Sequence, residues 1–91
     1  MIGVKQMHKL DVVFFASLRE SIGTDKVTIE LEKETTIEEI KQIVAKLLDN
    51  PDPLFHEGIQ ASIDYNFARH TSKVNPQTVK EVAFFPPVTG G

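Results

Sequence analysis

The chain has 91 residues, of which 41% are hydrophobic and 25% charged, with five Gly, five Pro and no Cys. That length suits one domain with short extensions, and the composition excludes multidomain, collagenous and low-complexity readings. Thirteen acidic against ten basic side chains give a net charge of −3, the opposite of the dense positive stripe that a phosphate backbone requires, so no nucleic-acid partner is expected. A chain this small buries only about 60% of its unfolded surface, which leaves a thin core and disfavours a deep enclosed active site. Without cysteine there is no disulfide framework, thiolate nucleophile or Cys-based zinc site, which fits a reducing compartment. The apolar run 12–16 is too short for a secretory or membrane-spanning segment. The chain reads as cytoplasmic, with no membrane partner.

Residues 1–7 lack a sustained period and are expected to fray. Residues 10–15 form an aromatic and β-branched run of strand length. If Asp11 faces solvent, alternation places Val13 and Phe15 beside it and turns Leu10, Val12 and Phe14 to the core. Residues 17–22 read as a short helix, with Ser17 as cap, Glu20 as its capping-box partner and Gly23 as the stop. Residues 27–31 alternate cleanly and form a second strand, expected to pair antiparallel with the first.

Thr36 and Glu39 form another capping box, with Glu38 and Glu39 in the first turn where the helix dipole favours negative charge. Ile37, Ile40, Val44, Leu47 and Leu48 recur at three- and four-residue steps, giving one apolar stripe over 37–48 that must pack on a sheet. Asn50, Pro51, Asp52 and Pro53 end it. Residues 54–58 read as loop, 61–64 as a strand continued by a hairpin arm through Phe67, Asn75-Pro76 as a turn, and 79–85 as the last strand. The order is α+β: a sheet with one main helix on one face.

His8, His56 and His70 lack the short spacings that set two imidazoles around a metal, so they read as surface residues and no metal site is expected. No glycine-rich phosphate loop or nucleophile elbow is present. Glu30, Glu32, Glu34, Glu38 and Glu39 are explained by strand alternation and the helix dipole. Ser17, Ser21, Ser62 and Ser72 have no recognisable base and orienter. The chain on its own is therefore not expected to be an enzyme.

The ending Phe84-Phe85-Pro86-Pro87-Val88-Thr89-Gly90-Gly91 is different. Pro86 and Pro87 remove two amide donors in succession, stop any sheet ladder and bias the exit toward an extended, low-entropy polyproline conformation. Terminal glycines let a backbone pass through a channel too narrow for any Cβ. Six extended residues reach on the order of 20 Å, enough to deliver a terminal carboxyl group into another protein's active site.

Val13-Phe14-Phe15-Ala16-Ser17-Leu18-Arg19-Glu20 near the start and Glu81-Val82-Ala83-Phe84-Phe85-Pro86-Pro87-Val88-Thr89-Gly90-Gly91 at the end together resemble the small subunit of molybdopterin synthase. The resemblance implies a ubiquitin-like β-grasp domain over 8–85, a mixed sheet covered by one main helix, with an extended tail over 86–91. It further implies a sulfur carrier with no bound cofactor. Gly91 would be adenylated by a ubiquitin-activating-type adenylyltransferase using ATP, then thiocarboxylated by a sulfur donor protein. Within the synthase it would give its sulfur to cyclic pyranopterin monophosphate. Gly90 would permit threading, while Pro86, Pro87, Val88 and Thr89 would enter the large subunit, which supplies the acid and base groups. Phe15, Phe67 and Phe85 form the expected partner-binding patch. The other reading of the same tail is a protein modifier joined through Gly91 to lysines of a target. The chain departs from the family pattern at Val79-Lys80, where Gly-Asp is usual, and around Ile63-Asp64, where Val-Asn is common.

Overall fold

A computed structural model describes residues 6–87, so residues 1–5 of the expected extension and Val88, Thr89, Gly90 and Gly91 of the expected tail lie outside the described residues. Strand β1 (His8–Phe14) buries Leu10, Val12 and Phe14 and turns Asp11 and Val13 to the other face, as the alternation predicts. Strand β2 (Lys26–Leu31) pairs with it antiparallel, setting Leu10 opposite Ile29 and Val12 opposite Val27.

Helix α1 (Ala16–Ile22) joins the two and ends at Gly23, whose φ of 89° lets its N–H turn back to the Arg19 carbonyl at 2.9 Å. Its other end differs from expectation. Phe15 is the N-cap and no side chain caps the helix, so Ser17 does not have the role its position suggested. The physical reason is the grip of the sheet on Phe15, whose N–H donates to the Phe84 carbonyl at 3.1 Å. The chain must therefore turn at Ala16, at φ 56°, one residue before Ser17.

Strand β3 (Thr35–Thr36) leads into helix α2 (Ile37–Ala45). Thr36 Oγ1 accepts the Glu39 N–H at 3.2 Å, which is half of the expected capping box. The Glu39 carboxylate accepts instead from the Thr35 hydroxyl. Two further first-turn donors, the N–H groups of Ile37 and Glu38, go to the carbonyls of Ser72 at 3.1 Å and His70 at 3.0 Å. The helix is shorter than the apolar stripe. Past Ala45 the N–H groups of Lys46 and Leu47 bond three residues back, to Ile43 and Val44, and this tightening rotates Leu47 out to 58% exposure.

After a 3-10 turn (Asp52–Phe55), strands β4 (Gln60–Ile63) and β5 (Asn66–Ala68) form a hairpin whose tip, Asp64 and Tyr65, has positive φ. Strand β6 (Lys73–Val74) pairs with β3 as a two-stranded ribbon that the sequence pattern did not reveal. Strand β7 (Glu81–Phe85) starts later than expected. Asn75 holds the preceding backbone, its carbonyl accepting the N–H groups of Thr78 and Val79 and its Oδ1 that of Gln77.

The main sheet runs β2-β1-β7-β4-β5, with β7 parallel to β1 and antiparallel to β4. Its inner face carries Leu10, Val12, Phe14, Val82 and Phe84, which pack with Ile37, Ile40 and Val44 of α2 and with Leu54 of the 3-10 turn. A mixed sheet with first and last strands side by side and one main helix across it is the ubiquitin-like β-grasp arrangement, an α+β fold. Among the described residues, no helix is long and apolar enough to cross a membrane.

Candidate functional site

Strand β7, the last of the described strands, occupies the centre of the sheet. It is held on both sides, with Phe84 opposite Phe14 on β1 and Ala61 on β4. The last paired position sets Phe85 opposite Gln60. Pro86 and Pro87 follow without amide donors, and the ladder stops there.

Alternation along β7 turns Val82 and Phe84 inward and Phe85 outward, away from α2. On the hairpin, the register pairs Phe67 with Ser62 and Ser62 with Ala83, which puts Phe67 diagonal to Phe85 on the same outer face. Their rings meet edge to face at a centroid distance of 5.8 Å. Phe67 is 77% exposed, an unusual position for a phenylalanine. Phe15 lies at the end of β1 and is 46% exposed, but among the described residues it makes no ring pair with Phe67 or Phe85. The three expected aromatics are thus one edge-to-face pair and one separate exposed ring.

Sequence reasoning passed over Tyr65, which at 85% exposure adds a fourth aromatic at the hairpin tip. The signal available was the Tyr65-Asn66 pair at a turn, where an aromatic has no core to fill. It also passed over Gly58, which faces the tail root. Gly58 has φ 91°, and a Cβ built on it would lie 3.2 Å from Cγ of Pro87. A groove of about 190 Å³ runs beside this contact, lined by Ser17, Leu18, Pro53, His56, Pro86 and Pro87.

On the inner side, Lys41 of α2 is only 4% exposed. Its Nζ lies 3.0 Å from Nε2 of His70 and within 6 Å of the Phe55 and Phe84 ring centroids. Burial pushes its pKa below the ordinary lysine value, opposed by the nearby Glu38 carboxylate. Among the described residues, no group of three or more His, Asp or Glu side chains is placed to hold a metal ion.

These features are a last strand held on both sides and an aromatic outer face beside it. Over 83 residues, 90% of its length, the chain is 35% identical to the molybdopterin synthase sulfur carrier subunit of Haemophilus influenzae. It is 32% identical to the protein of the same description from Escherichia coli, and it spans 99% of each. The solved structure of small archaeal modifier protein 1 from Methanosarcina acetivorans superposes with a TM-score of 0.59 at 26% identity, covering 94% of this chain and 99% of that one. Residues 12–91, from the middle of β1 through Gly91, match the ThiS family, and the chain belongs to it.

Proposed function

We propose that the chain is a cytoplasmic sulfur carrier, the small sulfur-donating subunit of molybdopterin synthase, with Gly91 as the residue that carries the sulfur. The observation that carries this reading is the likeness, over nearly the whole chain, to relatives described as molybdopterin synthase sulfur carrier subunits. The Pro86-Pro87-Val88-Thr89-Gly90-Gly91 ending, issuing from the central strand, supports it.

A C-terminal carboxyl group has a pKa of about 3.5, so at neutral pH it is ionised and a poor electrophile. A ubiquitin-activating-type adenylyltransferase supplies ATP; the carboxylate oxygen attacks the α-phosphorus and pyrophosphate leaves. Hydrosulfide delivered by a sulfur donor protein then attacks the acyl carbon and AMP leaves, so that the loss of one proton gives a thiocarboxylate on Gly91. The large synthase subunit receives the tail and provides the acid and base groups for sulfur transfer to cyclic pyranopterin monophosphate. Phe67, Phe85 and Phe15 form the docking face, while Pro86 and Pro87 direct Val88, Thr89 and Gly90 toward the partner. The carrier needs no bound cofactor for this role.

Likeness to small archaeal modifier protein 1 favours a second reading, in which the same activated Gly91 forms an isopeptide bond with a target lysine. Intact-mass analysis separates the two. With the activating enzyme, ATP and a sulfur donor, a carrier gains the mass difference of sulfur for oxygen, and loses it again with the large subunit and the pterin precursor. Lysine conjugates as the main product, with no thiocarboxylate, would transfer the assignment to the modifier.

A further inference from the structure

We infer that Gly58 is a positioning residue for the tail: it forms a seat for the Pro87 ring that fixes where, and in which direction, the chain leaves the domain. The inference rests on the carrier reading for its purpose but on geometry for its existence. A Cβ on Gly58 would stand 3.2 Å from Cγ, 3.6 Å from Cδ and 3.7 Å from Cβ of Pro87, so three ring atoms lie over the face of Gly58 that any other residue would fill. At the same residue the backbone has φ 91°, a conformation that L side chains rarely adopt. Two independent demands, on backbone and on space, therefore fall on one position. By contrast, Gly23 has the same kind of φ with open space around it, as expected of a glycine that only ends a helix.

The seat is itself anchored. The His56 N–H bonds back to the Pro53 carbonyl at 3.3 Å and the Ile59 N–H to the His56 carbonyl at 3.3 Å, closing the turn around Gly58. Leu54, in the preceding 3-10 turn, is fully buried in the core, and Ile59 packs against that core on the other side. Pro87 is thus held from two directions: through β7, two residues upstream, and through the loop between the 3-10 turn and β4. Proline contributes its own fixed φ of about −65°, so pinning the ring also sets the direction of the next bond. Four residues remain beyond Pro87, and their reach is at most about 14 Å. With so short a lever, a shift at the base is passed on to the terminal carboxyl group. A prealigned base also lowers the ordering cost of inserting the tail into any enzyme that must grasp it.

The contact can be read directly in the wild-type protein, as a nuclear Overhauser effect between the Gly58 α protons and the Pro87 γ protons. Its absence overturns the seat whatever the protein does. For function, thiocarboxylation is followed with the cognate activating enzyme, ATP and sulfide for wild type, Gly58→Ala, Pro87→Ala and the double variant. Pro87→Ala keeps the native Gly58 and so serves if Gly58→Ala does not fold. We expect each folded single variant to raise the apparent KM for the carrier about tenfold with little change in kcat, since the lost alignment is a binding cost. The double variant should lose less than the sum of the two single variants, because without the ring the added Cβ has little to displace and only the backbone strain at φ 91° remains. If wild type is loaded and Pro87→Ala is loaded with unchanged KM, the seat has no positioning role and the carrier reading stands. If wild type itself is never loaded, the carrier reading falls, and the seat is decided by the Overhauser contact alone.

Discussion

Asp64 and Glu81 are joined by two hydrogen bonds running in opposite senses: the Asp64 N–H donates to the Glu81 carbonyl, and the Glu81 N–H donates to Asp64 Oδ1, each at 2.9 Å. The same carboxylate accepts the Lys80 N–H at 3.0 Å. The tip of the β4–β5 hairpin thereby grips the lead-in to the central strand. The side chain of Asp64 secures the backbone at Lys80 and Glu81.

Asp64→Ala should therefore cost about 1–3 kcal/mol, because it strips two backbone donors of their acceptor. It also places alanine at φ 45°, which asparagine and aspartate tolerate better. Asp64→Asn keeps an acceptor oxygen and should retain most of the stability. Urea unfolding of the two variants makes the comparison; equal losses would mean that the carboxamide cannot replace the carboxylate and that charge, not acceptance, matters.

Lys41 gives a pH dependence with a definite sign. Its pKa is lowered from 10.5, chiefly by burial, so just below that value the unfolded chain holds more protons than the folded one. The Lys41 contribution to stability therefore rises with pH from the lowered folded pKa up to 10.5. Lys41→Met should abolish that increment and be neutral or stabilising at neutral pH, since a buried ammonium whose desolvation outweighs its attraction to Glu38 is replaced by an apolar chain. Urea midpoints of both proteins, taken as a difference across the alkaline range, test it; a strongly destabilised Lys41→Met would show that the contact with His70 outweighs the desolvation.

Removing Gly91, or adding one residue after it, should abolish thiocarboxylation while leaving the unfolding transition unchanged, because neither alteration touches the described core. Mass spectrometry after incubation with activating enzyme, ATP and sulfur donor provides the readout. Full loading of a chain ending at Gly90 would show that the terminal residue is not selected.

The outer aromatic pair should carry much of the affinity for the large synthase subunit. Phe85→Ala and Phe67→Ala are each expected to weaken binding by about 2 kcal/mol or more, measured calorimetrically. Because the two rings touch, the double variant should lose less than the sum. Unchanged affinity in a folded Phe85→Ala would place the interface elsewhere.

The strands with one buried face were legible because alternation states both the element and its orientation: Leu10, Val12 and Phe14 were readable as core from the residues between them. Phe15 was readable as exposed for the same reason. The β3–β6 ribbon was not, since two residues on each strand cannot show a period. The end of α2 was misjudged because Leu47 continues the apolar spacing while the backbone, tightening after Ala45, does not continue the helix. Gly58 was passed over for a similar reason. An isolated glycine carries no pattern, and its partner Pro87 lies 29 positions away in the chain.

The parallel pairing of β1 and β7 also decides how the domain bears tension. A partner that draws in the chain beyond Phe85 pulls β7 along its own axis, against β1 on one side and β4 on the other. The ladder hydrogen bonds on both flanks are then loaded together in shear, whereas a pull across the strand would open them one at a time. Phe84 and Val82, locked into the core on that same strand, resist the slide further. The carrier can be hauled by its tail without being peeled apart.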